Sequence, residues 1–129
     1  MTTDGRKMRF VRGRLRSFVF AWKGICTLFG REPNAQVHLC VAVLVILAGG
    51  LFSISALEWC VVILCIGGVF MAEGFNTAIE CIADKVSTQF DPLIGRAKDV
   101  AAGAVLLFVI AAVAAGLIIF IPKIYVFFV

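Results

Sequence analysis

Three long uncharged, apolar stretches constrain this chain more than any other feature of its sequence. They cover residues 39–57, 59–72 and 100–122. A helix that crosses a bilayer needs about 20 mostly apolar residues, so the first and third stretches are long enough by themselves. The second stretch has 14 residues and reaches that length only if it continues past Glu73. The sequence therefore predicts three membrane-spanning helices and puts Glu73 near or inside the membrane.

The overall composition supports a membrane protein. Of 129 residues, 62% are hydrophobic, whereas soluble domains are typically about 45–50% apolar. A water-soluble core of this length cannot bury so much apolar surface. We expect one unit over residues 1–129. The five cysteines are odd in number and match no metal-binding motif, so they are predicted to be small buried apolar side chains.

The basic residues predict the orientation. Eight of the 12 Lys and Arg residues precede the first stretch, and three more lie between the second and third. Basic residues favour cytoplasmic loops, so the N-terminus and residues 84–99 are predicted to be cytoplasmic and the C-terminus to lie outside. Anionic headgroups would attract the N-terminal cluster, which supplies most of the net charge of +4. The sequence contains no recognisable nucleic-acid-binding module, so no nucleic-acid partner is expected.

Local composition divides the chain into segments. They are a loosely ordered basic tail at 1–16, a surface helix at 17–31, and spans at 33–55, 58–86 and 96–122, the second with a cytoplasmic extension. The surface helix is predicted to be amphipathic and to lie in the membrane interface with Trp22 at headgroup depth. Residues 30–38, which we call the elbow, are polar, and Pro33 suits the start of the first span. Ser, Thr, Asp, Pro and Gly interrupt the helical pattern at 87–95.

A stripe of polar side chains follows the second apolar stretch. It consists of Glu73, Asn76, Glu80 and Asp84. At 100° per residue, these side chains fall within about 80° of one another on a helix. A solvated face is the simpler interpretation, but three like charges on one face repel each other, and polar groups at membrane depth are costly. A bound Mg²⁺ would reduce both the repulsion between the carboxylates and the cost of placing them at membrane depth, because it binds one or two carboxylates together with substrate phosphates.

Two further polar groups are predicted at the same membrane boundary. They are Glu32, Asn34 and His38 in the elbow, and Arg96, Lys98 and Asp99 before the third span. Taken singly, each has a structural interpretation, such as an exposed charge, a turn residue or a positive-inside anchor. The case for function is that they lie at the same cytoplasmic boundary as the stripe, where the basic side chains of Arg96 and Lys98 could bind phosphate oxygens. Neither a Walker A loop nor the protein-kinase signature set is present, so a nucleotide site would be of another kind.

Specific motifs carry a family resemblance. AEGFNTAIECIAD, GRAKDVAAGAVLL, the elbow pattern E-P-N-x-x-x-H and the preceding AWKGI resemble the prokaryotic diacylglycerol kinase / undecaprenol kinase family over roughly residues 17–122. The resemblance implies an all-α integral membrane lipid kinase of the bacterial cytoplasmic membrane. It also implies a homotrimer of three-span subunits, each with an amphipathic surface helix, and active sites between neighbouring subunits. ATP and Mg²⁺ are the implied phosphoryl donor and cofactor.

The resemblance also implies roles for individual residues. Glu73 matches the catalytic base, Glu32 and Glu80 match the metal-binding glutamates, and Asn76, Lys98 and Asp99 match the nucleotide and phosphate site. We further expect Asp84 near the nucleotide, and Asn34, His38 and Trp22 near the lipid. Gln89, Phe90 and Asp91 replace the Glu-Tyr-His that family members often carry near the nucleotide. Phe90 keeps the aromatic ring without its hydroxyl, so a nucleotide contact by this loop rests on position alone.

Three alternatives remain open at this level. Pro92 and the character of the second span resemble members that act on undecaprenol, and diacylglycerol is the alternative lipid. A small oligomeric ion or proton transporter could use the carboxylates as a relay. That hypothesis accounts for Glu73 and Glu80, but it does not account for the gathering of Glu32, Lys98 and Asp99 at one membrane face. The protein could also be a structural membrane protein without a functional site, and the polar stripe on one helix face would then be accidental.

Overall fold

The computed structural model describes residues 3–86 and 91–129, with side chains from residue 12 onward except at 128. These residues form four helices: α1 (Thr3–Arg31), α2 (Pro33–Leu51), α3 (Ala56–Val86) and α4 (Pro92–Phe128). The predicted all-α class is confirmed. Three helices, α2 to α4, are long and apolar enough to cross a membrane, as the three uncharged stretches predict.

The first helix differs from its prediction. The sequence separates a loose tail at 1–16 from a surface helix at 17–31, whereas α1 is one helix from Thr3 to Arg31. This segment contains no proline, and its six Arg residues favour helix. The helix ends where Pro33 follows, because the residue before a proline is driven out of the helical region. Glu32 accordingly has extended backbone angles, φ −98° and ψ 110°.

A tight turn joins α2 to α3 as an antiparallel hairpin. α2 begins at Pro33 as predicted but ends at Leu51, not at residue 55. Ser53 ends the helical path because it adopts a positive φ of 49°. At the start of α3, Ser55 and Glu58 form a reciprocal cap: Glu58 N donates to Ser55 Oγ at 3.3 Å, and Ser55 N donates to Glu58 Oε2 at 2.6 Å. This cap starts α3 at Ala56, two residues before the predicted start.

The third helix continues through the polar stripe without a break. α3 has 31 residues, which at 1.5 Å per residue is about 46 Å. The hydrocarbon core of a bilayer is only about 30 Å thick. α3 is therefore longer than the apolar layer is thick, and the predicted continuation of the helix past Glu73 is confirmed.

The fourth helix is longer at both ends than the predicted span 96–122. The side chain of Asp91 accepts hydrogen bonds from Leu93 N and Ile94 N at 2.8 and 3.4 Å, and this cap starts α4 at Pro92. Pro122 lies inside the helix and does not end it. Just beyond it, Lys123 Nζ lies 3.0 Å from Glu58 Oε2, which fastens the end of α4 to the start of α3.

Packing is closest between α3 and α4. The ring of Phe108 lies directly over Gly68, where a Cβ would overlap it. A small apolar core of Ile54, Val62 and Ile119 lies near the hairpin turn. Most large apolar side chains of α2 to α4 remain exposed, which suits lipid or partner helices as surroundings.

The cysteines are exposed except for half-buried Cys65, so their prediction as buried residues was wrong: they lie on the outer faces of the helices.

Candidate active site

Two polar residues are buried within the described part of the chain, and both belong to the predicted stripe. The exposed fraction is 3% for Glu73 and 6% for Asn76. Asn76 Oδ1 has no hydrogen-bond partner, and none of the hydrogen bonds or ion pairs among the described residues involves Glu73. Buried polar groups are normally paired. Asn76 Oδ1 is an exception to this rule, and together with the neighbouring Glu73 it makes this turn of α3 a candidate binding or catalytic site.

The next turn of α3 extends this polar face. Asn76 Nδ2 donates to Glu80 Oε1 at 3.0 Å, as expected for residues four positions apart on a helix. The bond leaves the second carboxylate oxygen of Glu80 and the amide oxygen of Asn76 as neighbouring acceptors. These are the hard oxygen donors that Mg²⁺ prefers. Glu73, Asn76 and Glu80 thus form a continuous acceptor surface about 10 Å long at 1.5 Å per residue.

A basic side chain from α4 meets the end of the stripe. Lys98 Nζ lies 2.9 Å from Asp84 Oδ1. Both side chains keep access to solvent, with 38% of Lys98 and 71% of Asp84 exposed. Arg96 and Asp99 are exposed on the same first turns of α4. The fold therefore brings the predicted phosphate-binding group of α4 to the predicted stripe of α3.

The elbow reaches α3 through the end of α1. The rings of Phe29 and Phe70 pack edge to face with centroids 4.9 Å apart. A Cβ built at Gly74 would lie 3.8 Å from Leu28 Cδ2, an ordinary contact. Phe70 and Gly74 flank Glu73 in the sequence. The junction of α1 and α2 therefore lies beside the buried carboxylate, at what we call the elbow end of the bundle.

Glu32 occupies the junction itself. It is the N-cap residue of α2, is half-buried, and makes no side-chain capping bond. Its carboxylate is therefore available for another role. Within the described residues, however, no group of three or more His, Cys, Asp or Glu side chains comes together as a metal site. Mg²⁺ needs only one or two carboxylates when substrate phosphates supply its other ligands, so Glu32 and Glu80 remain candidate ligands.

Comparison with known proteins identifies the family. Residues 19–120 match the sequence profile of the family described as prokaryotic diacylglycerol kinase. The chain belongs to this family. It is a lipid kinase, and the transporter alternative is not favoured.

The relatives of this chain are named as kinases of two different lipids. The chain is 43% identical to the undecaprenol kinase of Bacillus subtilis over 108 residues, which cover 84% of this chain and 88% of that protein. It is 40% identical to a diacylglycerol kinase of Synechocystis over 103 residues, covering 79% of this chain and 59% of the relative. Identity to the diacylglycerol kinase of Escherichia coli K12 is 28% over 94 residues, covering 73% and 77%.

The remaining predicted residues of this kinase differ in their surroundings. His38 borders an apolar cavity of 330 Å³ between α2, α3 and α4, which Val69 and Phe70 also line. Asn34 and Trp22 are exposed. Asp91 caps α4, a role that the sequence interpretation did not include. Gln89 and Phe90 lie outside the described residues.

Sequence reasoning missed one polar residue near the site. Gln36 Nε2 donates to the carbonyl oxygen of Phe29 at 3.2 Å. A signal for this contact was present in the sequence, because Pro33 is four residues after Phe29 and has no N–H to offer that carbonyl. Phe29 and Phe70 were also missed, since apolar residues on two separate helices carry no sequence signal that they touch.

Proposed function

We propose that this lipid kinase uses ATP and Mg²⁺ to phosphorylate the hydroxyl of undecaprenol at the cytoplasmic face of the bacterial inner membrane. The proposal depends on Glu73, which is only 3% exposed and has no hydrogen-bond or ion-pair partner among the described residues, on the same helix face as Asn76 and Glu80. A carboxylate without such a partner suits a general base better than a structural charge.

In the proposed reaction, Glu73 accepts the proton of the lipid hydroxyl. The hydroxyl oxygen forms a bond to the γ-phosphorus of ATP, the bond from that phosphorus to its bridging oxygen breaks, and ADP leaves with the bonding electron pair. Phosphoryl transfer depends mainly on positioning and charge neutralisation. A single base and a few groups that bind phosphate can therefore suffice, and no loop of the Walker A type is required.

We assign the nucleotide-binding part of the site to the C-terminal residues of the stripe and to the first turns of α4. Glu32 and Glu80 would hold Mg²⁺, which neutralises charge on the transferred phosphate when bound. Asn76, Lys98 and Asp99 would contact the nucleotide or its phosphates. Asp84 holds the Lys98 ammonium group at 2.9 Å and would thereby keep it close to the phosphates.

The lipid end of the site is assigned to the elbow and the apolar cavity. Residues Val69 and Phe70, which line the cavity, precede Glu73 by about one turn of α3. His38 brings an imidazole to this otherwise apolar lining. A hydroxyl presented to Glu73 could therefore continue into a hydrocarbon chain beside α2 and α3, with Asn34 and Trp22 nearer the membrane surface.

Undecaprenol is favoured over diacylglycerol by the comparisons. The match to the Bacillus subtilis undecaprenol kinase is higher in identity and covers more of the relative than the match to the Synechocystis diacylglycerol kinase. The Escherichia coli diacylglycerol kinase is more distant, at 28% identity. Diacylglycerol remains the second candidate, since both lipids offer one primary hydroxyl at the interface.

The assembly and orientation form part of the proposal. A homotrimer would cover part of the apolar surface that α2 to α4 leave exposed, and small residues on α4, such as Ala111, Ala114 and Gly116, permit close helix approach. The distribution of basic residues supports a cytoplasmic N-terminus and an external C-terminus. The basic and aromatic composition of α1 supports an amphipathic helix in the cytoplasmic interface.

The test is a phosphotransfer assay on purified protein in lipid bilayers, with labelled ATP, Mg²⁺, and either undecaprenol or diacylglycerol. We expect label mainly in undecaprenyl phosphate. Label mainly in phosphatidic acid would support the second candidate. Label in neither lipid would contradict both. Protein carrying Glu73→Gln, purified in the same way, controls for contaminating kinases.

A further inference from the structure

A helix carbonyl just before the elbow, that of Phe29, lacks its normal donor. In an α-helix the carbonyl of residue i accepts from the N–H of residue i+4, and the residue four after Phe29 is Pro33, which has no N–H. The side chain of Gln36 supplies the missing donor, with Nε2 3.2 Å from Phe29 O. The backbone bonds on either side are regular: Glu32 N to Leu28 O at 3.2 Å and Gln36 N to Glu32 O at 3.1 Å.

This bond spans the residue at which the chain changes direction. Glu32 has extended backbone angles and no side-chain capping bond, so its position depends on how α1 and α2 are held together. Gln36 lies in the first turn of α2 and Phe29 in the last turn of α1. Their hydrogen bond therefore joins α1 to α2 across the hinge at Glu32.

The α1 side of this hinge is anchored to the catalytic helix. The ring of Phe29, whose carbonyl accepts from Gln36, packs against Phe70 at 4.9 Å. Phe70 lies three residues before Glu73 on α3. A continuous set of contacts thus runs from Gln36 on α2, through Phe29 on α1, to the turn of α3 that carries the buried carboxylate.

We propose that Gln36 is a positioning residue, whose hydrogen bond to the Phe29 carbonyl sets the place of the Glu32 carboxylate relative to α3 and so its ability to hold the metal. This inference rests on the proposed metal-binding role of Glu32. Gln36 itself touches neither metal nor substrate in this scheme. Its effect should therefore appear in metal affinity rather than in the chemical step.

The experiment measures Mn²⁺ binding by electron paramagnetic resonance, on full-length protein in bilayers with a non-hydrolysable ATP analogue. Gln36→Leu removes the donor and is expected to weaken metal binding about tenfold, the lower end of what residues orienting a metal ligand usually contribute. The Mg²⁺ concentration for half-maximal turnover should rise in parallel, with kcat at saturating Mg²⁺ little changed. Gln36→Lys keeps a donor and should restore binding. Val37→Ala, at the neighbouring exposed position, should leave it unchanged.

A double variant distinguishes failure of this inference from failure of the proposed function. If Gln36 acts through Glu32, Gln36→Leu should add no further loss of Mn²⁺ affinity in a Glu32→Gln background. An additional tenfold loss there, or unchanged metal binding in Gln36→Leu alone while Glu32→Gln weakens it, would overturn the positioning role. Unchanged metal binding in Glu32→Gln would instead reject the metal site of the proposed function, and the role of Gln36 with it.

Discussion

Lys98 Nζ lies 2.9 Å from Asp84 Oδ1, and this ion pair connects the last turns of α3 to the first turns of α4. The two residues are 14 positions apart in the sequence. Because the pair is largely exposed, it should stabilise the fold by no more than about 1 kcal/mol. Its importance is positional: it brings a cation from α4 to the same end of α3 as Glu80 and Asn76, where a phosphate would need it.

Removing the charge of Glu73 should abolish turnover without removing nucleotide affinity. We expect Glu73→Gln to lower kcat by about 10²–10⁴-fold, the usual contribution of a positioned general base. Glu58→Gln changes the same residue type at the opposite end of the same helix, where Glu58 pairs with Lys123, and should keep most activity. Initial rates with labelled ATP and nucleotide binding by calorimetry test this. Near-normal turnover of Glu73→Gln would show that another group takes the proton.

Neutralising Lys98 should affect ATP more than the lipid. Lys98→Ala removes an ammonium group that is proposed to contact phosphate oxygens, so the KM for ATP should rise about tenfold, as for loss of one charge-assisted hydrogen bond. The matched control is Lys85→Ala, which removes another basic side chain at the same end of the bundle, exposed in the last turn of α3. An equal rise of KM in both variants would indicate a general charge effect instead of a specific contact.

The contact between Gly68 and Phe108 should be necessary for close packing of α3 on α4. A Cβ at Gly68 would overlap the Phe108 ring, whereas one at Gly67 would meet nothing within 4 Å. We expect Gly68→Ala to destabilise the fold by about 1–3 kcal/mol through overpacking. Gly67→Ala should be neutral or stabilising, because alanine favours helix by up to about 1 kcal/mol over glycine. Thermal inactivation in detergent measures both, and equal stability of the two variants would contradict this packing.

The cap at Asp91 should contribute to the stability of the start of α4. Asp91→Ala removes the acceptor of the bonds from Leu93 N and Ile94 N, and should cost about 1 kcal/mol. Asp91→Asn keeps an acceptor and should restore the stability. Hydrogen exchange of the first turn of α4 measures the effect. The KM for ATP of the Asn variant tests the separate prediction of a nucleotide contact, because only such a contact would make the lost charge matter after the cap is restored.

Much of the arrangement on α3 could be predicted from the sequence because it is local. The spacing of Glu73, Asn76 and Glu80 determines their shared face as soon as the segment is helical, and the structure gives the hydrogen bond from Asn76 to Glu80. Helix ends were predicted less well. The starts of α3 and α4 depend on the caps at Ser55 and Asp91, because side-chain hydrogen bonds there begin each helix before its own apolar stretch.

The membrane class, the three spans and the polar stripe could be predicted from the sequence alone, because hydrophobic length and helical periodicity act within one continuous segment. Which side chains meet across helices depends on the folded arrangement of those segments. The burial of Glu73, the ion pair of Lys98 with Asp84 and the contact of Phe29 with Phe70 each join separate segments. Such contacts depend on how closely and at what angle the helices pack, and no single segment encodes that geometry.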